Sequence, residues 1–593
     1  MEAPPTDWKS FLSSDNDGNA KIKTEYIFEK TRTLQVCEKE SGDSTNVQPA
    51  NGKPNKKNKA RGQNKNRPRR PLELNSEKLC PSKVTGTCMF GEKCKYMHNI
   101  EDYMKIKPTD IGDKCHAYRT HGKCNYGFTC RYGGDHIEKN ENEYINQTNN
   151  EKELQNPMPV ITNSLPRELQ VGLRKRKVNF DRTVEALKCI EQHHAKRKKG
   201  EVILTPNENA RVDHQTDIKS SVTTGPILDT DVISLRKCEK KTIDFRNKLY
   251  LAPLTTCGNL PFRVMCKQMG ADITCGEMAL ATNLLQGQTS EWALIKRHPC
   301  EDIFGVQLCG AFPDTMSRCA ELLNKNCDVD FIDINMGCPI DLIYHKGAGS
   351  ALMRRTNKLF DVVTGMTSVL DIPLTCKLRT GIESKKNIAH NILPLLRDSG
   401  VSLATLHGRS REARYTRIAD WSYVSECAKV ASPMPLFGNG DILSHHDYYS
   451  ALEHTDVSGI MIARGALIKP WIFTEIKEQR DWDISSTERL DIIQKFANEG
   501  LLHWGSDTRG VETTRRFLLE WLSFLHRYIP VGILETVPQR INERPPYYVG
   551  RNDLETLFAS PNSNDWIKIS EMVLGRIPDN FSFLPKHKAN SYK

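Results

Sequence analysis

From about residue 247 the chain alternates short apolar runs with amphipathic stretches. The apolar runs fall at 249–254, 272–278, 303–308, 331–335, 374–378, 403–407, 436–438 and 459–463. Each has the length and β-branched or aromatic bias of a buried strand, and stretches such as 387–398 between them carry a helical period. Eight strand–helix units in roughly 230 residues predict a (β/α)8 TIM barrel. A doubly wound sheet would show a Gly-rich phosphate turn after its first strand, and the sequence LAPLTTCGN there is not one. Beyond residue 485 the period is helical, opening at Ser485, Ser486, Thr487 and Glu488 with a capping signal. The stretch 513–528 mixes Arg515, Arg516 and Arg527 with Trp521, Phe524 and Leu525, the pattern of a basic amphipathic helix.

Upstream of the barrel the pattern is different. Residues 1–75 are polar and have no periodic apolar face, and the run 53–70 is basic without an acidic residue, so a disordered basic tail is expected. Residues 141–238 read as a linker, with a helix expected near 179–194 and short basic clusters at Arg174–Lys177 and Lys196–Lys199. The resulting division is 1–75 tail, 76–140 metal-binding modules, 141–238 linker, 239–484 barrel and 485–593 helical domain.

The modules at 76–140 follow from cysteine spacing. Cys80, Cys88, Cys94 and His98 form one set, and Cys115, Cys124, Cys130 and His136 a second. Three thiolates and an imidazole make a closed tetrahedral site for structural Zn²⁺, and segments this short need the metal to fold. Both resemble CCCH-type RNA-binding fingers, with Phe90, Tyr96, Tyr126, Phe128 and Tyr132 placed to stack on bases. The second set departs from the usual final spacing, because His136 sits two residues late.

The 593-residue chain carries a net charge of +11, with its basic residues clustered, which suits a polyanionic partner. No apolar run approaches a membrane span and the N-terminus is not a secretory signal. The expected location is therefore intracellular, in cytoplasm or nucleus. In such a reducing compartment the 19 cysteines favour metal or catalytic roles over disulfides.

The densest chemistry lies after the fourth apolar run, in Asn335-Met336-Gly337-Cys338-Pro339, where a thiol sits on the loop at a strand's C-terminal end. Together with Ile332, Asp333 and Ile334 before it, and Ile343, Gly349 and Ser350 after it, this resembles the active-site signature of the tRNA-dihydrouridine synthases. The resemblance is strong over 247–480 and looser beyond. It implies reduction of the C5–C6 bond of a tRNA uridine with FMN as cofactor and NAD(P)H as reductant, and Cys338 as proton donor. It assigns Pro253, Leu254, Thr255, Gln307, Lys377, His407, Asn439, Gly440, Asp441, Ala463 and Arg464 to the flavin, and Asn335 and Arg379 to the base. The finger-bearing branch implies uridine 47 of the variable loop, with other RNAs as further candidates, and a helical RNA-contacting domain after the barrel. Two other readings stay open on sequence: an FMN oxidoreductase of small dihydropyrimidines, and a CCCH RNA-binding protein with a non-catalytic barrel.

Overall fold

The computed structural model describes residues 18–27, 75–86, 88–141, 143–198, 239–579 and 581–586. The basic run 53–70 and residues 199–238 lie outside them.

The barrel forms from β1 (Tyr250–Leu251), β2 (Ile273–Cys275), β3 (Ile303–Cys309), β4 (Phe331–Asn335), β5 (Leu374–Arg379), β6 (Leu403–His407), β7 (Leu436–Asn439) and β8 (Gly459–Ile462). Every neighbouring pair is parallel, and β8 closes on β1 through Met461 opposite Tyr250. A short extra strand, Ala279–Leu280, pairs with the end of β3. Parallel strands joined by helical crossovers bury both faces, which is why these runs read as nearly continuous apolar sequence.

The barrel interior is layered. Phe245, Tyr250, Ile273, Cys275, Phe331, Leu403, Phe437 and Met461 fill its lower part. Phe245 and Tyr250 meet the Phe331 ring edge-on, at 5.7 and 6.0 Å. A Cβ at Gly305 would stand 2.2 Å from that ring, so the strand beside it must carry glycine. One layer higher the inward positions become polar, with Gln307, Asp333, Thr375, Lys377, His407 and Asn439. This change from apolar to polar marks the C-terminal end of the barrel as its functional end.

The expected linker is in large part a folded brace. Helix Asp181–Lys198, expected near 179–194, crosses the barrel helices Pro313–Asn326 and Thr356–Val369. Thr183 donates to Glu321 from its N–H and its hydroxyl, at 2.9 and 2.7 Å, and Arg182 pairs with Asp371 at 2.6 Å. Buried Asn163 donates to Ile295 and Asp328 carbonyls and accepts from the Asp328 N–H. The sequence pattern is too polar to reveal this, because specific hydrogen bonds carry much of the contact. Likewise, within the expected tail, residues 18–27 lie along the helical domain: Ala20 and Lys23 N–H groups donate to Arg544 and Ile533 carbonyls, and Ile22 is buried.

The helical domain is built on Ser486–Trp504 and Thr508–Leu525, followed by Asp553–Ala559 and Ser563–Leu574. Ser485 and Glu488 form the expected capping box. Trp521 joins this domain to the barrel, donating to the Leu467 carbonyl at 3.0 Å and packing against Phe262. Arg515 does not present its charge outward as the amphipathic pattern suggested. It is fully buried, donating to Ser570 Oγ at 3.0 Å and the Gly575 carbonyl at 2.9 Å. Among the described residues no helix is long and apolar enough to cross a membrane.

Candidate active site

A cleft of about 1510 Å³ opens between the C-terminal end of the barrel and the helical domain. Pro253, Leu254, Thr255, Gln307, Asn335, Cys338, Lys377, Arg379, His407 and Arg464 line its barrel side. The facing wall includes His526, Arg527, Arg544, Tyr547 and Lys586. Ten of the sequence-predicted residues thus share one cavity.

The loop after β4 is held from beneath. Asn335 Oδ1 accepts from the N–H groups of Gly337 and Cys338 at 3.2 and 2.9 Å. Arg379 Nε donates to the Gly337 carbonyl at 2.8 Å, and its Nη1 to the Ser410 carbonyl at 3.0 Å. Ser350 Oγ donates to the Cys338 carbonyl at 2.9 Å. Gly349 has φ +60 and a Cβ there would stand 3.1 Å from Cys338 Cβ, so a side chain would push the thiol loop away. Burial pushes the Cys338 thiol up from its ordinary value, more than Arg379 and Arg411 pull it down. It therefore carries its proton at neutral pH.

The floor carries positive charge. Burial lowers the Lys377 ammonium to about 8, with Arg379 adding to the effect and Asp333 opposing it. Its Nζ donates to Asn439 Oδ1 at 3.1 Å, and Asn439 Nδ2 donates to the Met461 carbonyl at 2.7 Å. Burial and the neighbouring Arg379, Lys377, Arg409 and Arg464 hold His407 well below its ordinary value, so the ring is neutral. Arg409 has only donors, and it approaches His407 Nε2 at 3.4 Å, which makes Nε2 the unprotonated nitrogen.

Asn439, Gly440, Asp441 and Ala463 do not line the cleft. They support it. Asp441 accepts from Arg409 at 2.7 and 2.6 Å and from Arg464 at 2.9 Å, so its carboxylate aims two guanidinium groups. Gly440 has φ +142, and a Cβ there would reach 2.7 Å from Ala419. Tyr415 was not anticipated. It stacks on His407 at 6.3 Å, and Arg464 lies 4.1 Å over its ring. Lys586 was also missed. It reaches the site from the C-terminal segment, donating to Thr256 Oγ1 at 2.7 Å. Neither has a local sequence signal, since one stands in a polar loop and the other some 330 residues from its partner.

The site fits an anionic, planar redox cofactor on the chemistry of its donors: a buried ammonium, a paired arginine and a neutral imidazole around one cavity. The metal sites pass a stricter test. In each finger the four ligand atoms lie within 4.8 Å of one another. His98 Nε2 and His136 Nε2 are buried with no hydrogen-bond partner. His136 Nδ1 donates to Asn146 Oδ1 at 2.7 Å, fixing the tautomer that leaves Nε2 free for a metal. The late histidine is therefore in place.

The two fingers differ in setting. Phe90 of the first is 69% exposed, and Tyr96 is exposed beside it. In the second, Phe128 and Tyr132 are buried, and Tyr126 abuts Gly505. Tyr132 donates to the Leu574 carbonyl at 3.2 Å, and the Arg131 N–H to the Ser506 carbonyl at 2.8 Å. Of the rings expected to stack on bases, Tyr126 and Tyr132 dock this finger onto the helical domain, and Phe128 packs against Leu79 and Tyr103 beside the first finger.

Comparison with known proteins agrees with this arrangement. The dihydrouridine synthase family model matches residues 250–507, and the DUS3L CCCH zinc finger domain matches residues 76–106. A Xenopus tropicalis protein named tRNA-dihydrouridine(47) synthase [NAD(P)(+)]-like is 57% identical, covering 98% of this chain and 91% of its own length. A Homo sapiens protein of the same name is 57% identical over 90% of this chain and 84% of its own. The Arabidopsis thaliana protein of that name is 42% identical over 88% and 86%. With a barrel-end cleft around Cys338, Lys377 and His407, and relatives alike over nearly their whole length, the chain belongs to the dihydrouridine synthase family.

Proposed function

We propose that this protein reduces a uridine of tRNA to dihydrouridine, at position 47 as its relatives' names specify. The observation that carries the reading is Cys338: a protonated thiol on a fixed loop at the mouth of a positively charged cleft. The cleft would hold flavin mononucleotide, which, reduced by NAD(P)H, would supply the hydride for C6 of the uracil. Pro253, Leu254, Thr255, Gln307, Lys377, His407 and Arg464 would hold it, with Asn439 positioning Lys377 and Asp441 positioning Arg464.

The protein's own groups do the rest. Lys377 places positive charge at the cavity floor, and neutral His407 offers a hydrogen bond without a second charge. Asn335 and Arg379 orient the base. Cys338 gives its proton to C5, so hydride at C6 and proton at C5 together saturate the bond and leave a thiolate that solvent reprotonates. Zn²⁺ at Cys80, Cys88, Cys94 and His98, and at Cys115, Cys124, Cys130 and His136, is structural. The RNA partner places the protein inside the cell, in cytoplasm or nucleus.

The test is a spectrum. Protein loaded with FMN should bleach with NADPH and recover on adding unmodified tRNA, with dihydrouridine appearing at position 47. Protein that binds no FMN, or whose reduced flavin ignores tRNA, overturns the reading.

A further inference from the structure

We infer that Asp333 is a positioning residue for the Cys338 loop, acting through Gln307 and Asn335. The inference rests on the reading of Cys338 as the acid.

Donor and acceptor identities leave one solution. The backbone N–H groups of Gly337 and Cys338 can only donate, and both meet the same atom of Asn335. That atom must be the oxygen. The Asn335 nitrogen then faces Gln307 at 2.8 Å and needs an acceptor, which is the Gln307 oxygen. The Gln307 nitrogen is thereby turned toward Asp333, whose carboxylate accepts at 2.8 Å. The other oxygen of Asp333 accepts from Thr375 Oγ1 at 2.7 Å. The chain of bonds runs from a carboxylate inside the barrel, across β3 and β4, to the amides that seat the thiol.

Burial makes the direction of the chain rigid. Gln307, Asp333 and Thr375 are 1, 2 and 1% exposed, so a reversed amide finds no water to replace a lost partner. Burial also draws the Asp333 carboxyl up to about 6. Its protonation leaves the chain intact, because the O–H can turn to Thr375 Oγ1 while the other oxygen still accepts from Gln307. The sequence around the thiol thus carries its own orienting group five residues upstream.

The chain's polarity can be reversed deliberately. Asn335→Asp places a carboxylate where a donor stood, so Gln307 must turn over to donate to it. Above the Asp333 titration at about 6, the Gln307 oxygen then faces the Asp333 carboxylate, acceptor against acceptor. Adding Asp333→Asn supplies the missing donor and restores a complete chain running the other way. Asp333→Asn alone can keep the original direction, its oxygen toward Gln307 and its N–H toward Thr375 Oγ1.

The experiment follows reoxidation of the NADPH-reduced, FMN-loaded enzyme by unmodified tRNA, with the NADPH reduction rate measured on the same samples. Asp333→Asn is expected to stay within about threefold of wild type, Asn335→Asp to slow the tRNA step about 30-fold, and the double variant to recover about tenfold of that loss. NADPH reduction should hold in Asp333→Asn; Gln307 is turned over in both Asn335→Asp and the double variant, so those two should share one NADPH reduction rate, against which their tRNA steps are compared. A double variant no faster than Asn335→Asp overturns the inference, since an Asn335 that acted only on the base would gain nothing from position 333. If Asn335→Asp holds no flavin, Asp333→Ala replaces it: a tRNA step about tenfold slower with NADPH reduction unchanged supports the inference, and equal effects on both steps or on neither overturn it. Cys338→Ala run alongside separates the two levels. If it leaves the tRNA step at the wild-type rate, the acid assignment has failed; if it slows that step and the double variant does not recover, only the role of Asp333 has failed.

Discussion

Cys338, the proposed acid, stands where its surroundings hold the proton on it. Burial disfavours the thiolate, and the nearest cations only partly offset that. Cys338→Ala should therefore slow dihydrouridine formation by about 100-fold or more while NADPH still reduces the flavin. The pH profile follows from the neighbours. Lys377 is charged below about 8, and a bound anionic cofactor would move its titration upward by stabilising the charged form. The rate of the tRNA step should fall only as pH rises past about 8 or beyond, through loss of this ammonium first and of the thiol proton later. His407 is already neutral, so no ascending limb should appear near the ordinary histidine value. An ascending limb between pH 6 and 7 that disappears in His407→Asn would contradict the assignment.

At the level of elements, the two fingers predict opposite phenotypes. Cys130→Ser removes a ligand from the finger docked on Ser506 and Leu574, so it should lower the melting temperature by roughly 5 °C or more and expose the helical domain to protease. Cys94→Ser in the finger with exposed Phe90 should leave melting nearly unchanged and weaken RNA binding. Equal melting losses in both would sink this division of labour. It could not be read from the sequence, where Phe90 and Tyr126 occupy like places in like motifs; what separates them is that Tyr126 meets Gly505, several hundred residues away. The barrel strands were legible, down to Phe331–Asn335 and Leu403–His407 at their observed bounds, because parallel strands buried on both faces are continuous apolar runs. The brace at 143–198 was not, because Asn163 and Thr183 are polar residues whose burial depends on partners elsewhere in the chain. Among site residues, those on strand ends were legible from the strand pattern. Asp441, assigned to the flavin, is bonded to Arg409 and Arg464 and stands as their counter-ion beside the cleft.

Over the whole molecule, the cleft joins parts of the chain that lie far apart in sequence. Arg379 and Arg414 come from the barrel, Arg527 and Arg544 from the helical domain, and Lys586 from the segment after it. Arg544 is tied in turn to the N-terminal segment, its N–H donating to the Gly18 carbonyl. A polyanion seated here is thus gripped from two domains at once, and each phosphate contact releases counter-ions. Binding of tRNA should weaken steeply with salt. Lys586 offers the cleanest reading of one contact, because its ammonium reaches the cavity while its backbone N–H is fixed by Glu520 at 3.0 Å, which a side-chain substitution leaves in place. Lys586→Ala should lower tRNA affinity and reduce the slope of log K against log salt by about 0.7 to 0.9, the value for one phosphate. Flavin content and the rate of NADPH reduction should be retained. An unchanged slope with unchanged affinity would mean that Lys586 serves only to tie the C-terminal segment to Thr256, and that the cleft's charge reaches the RNA through the arginines alone.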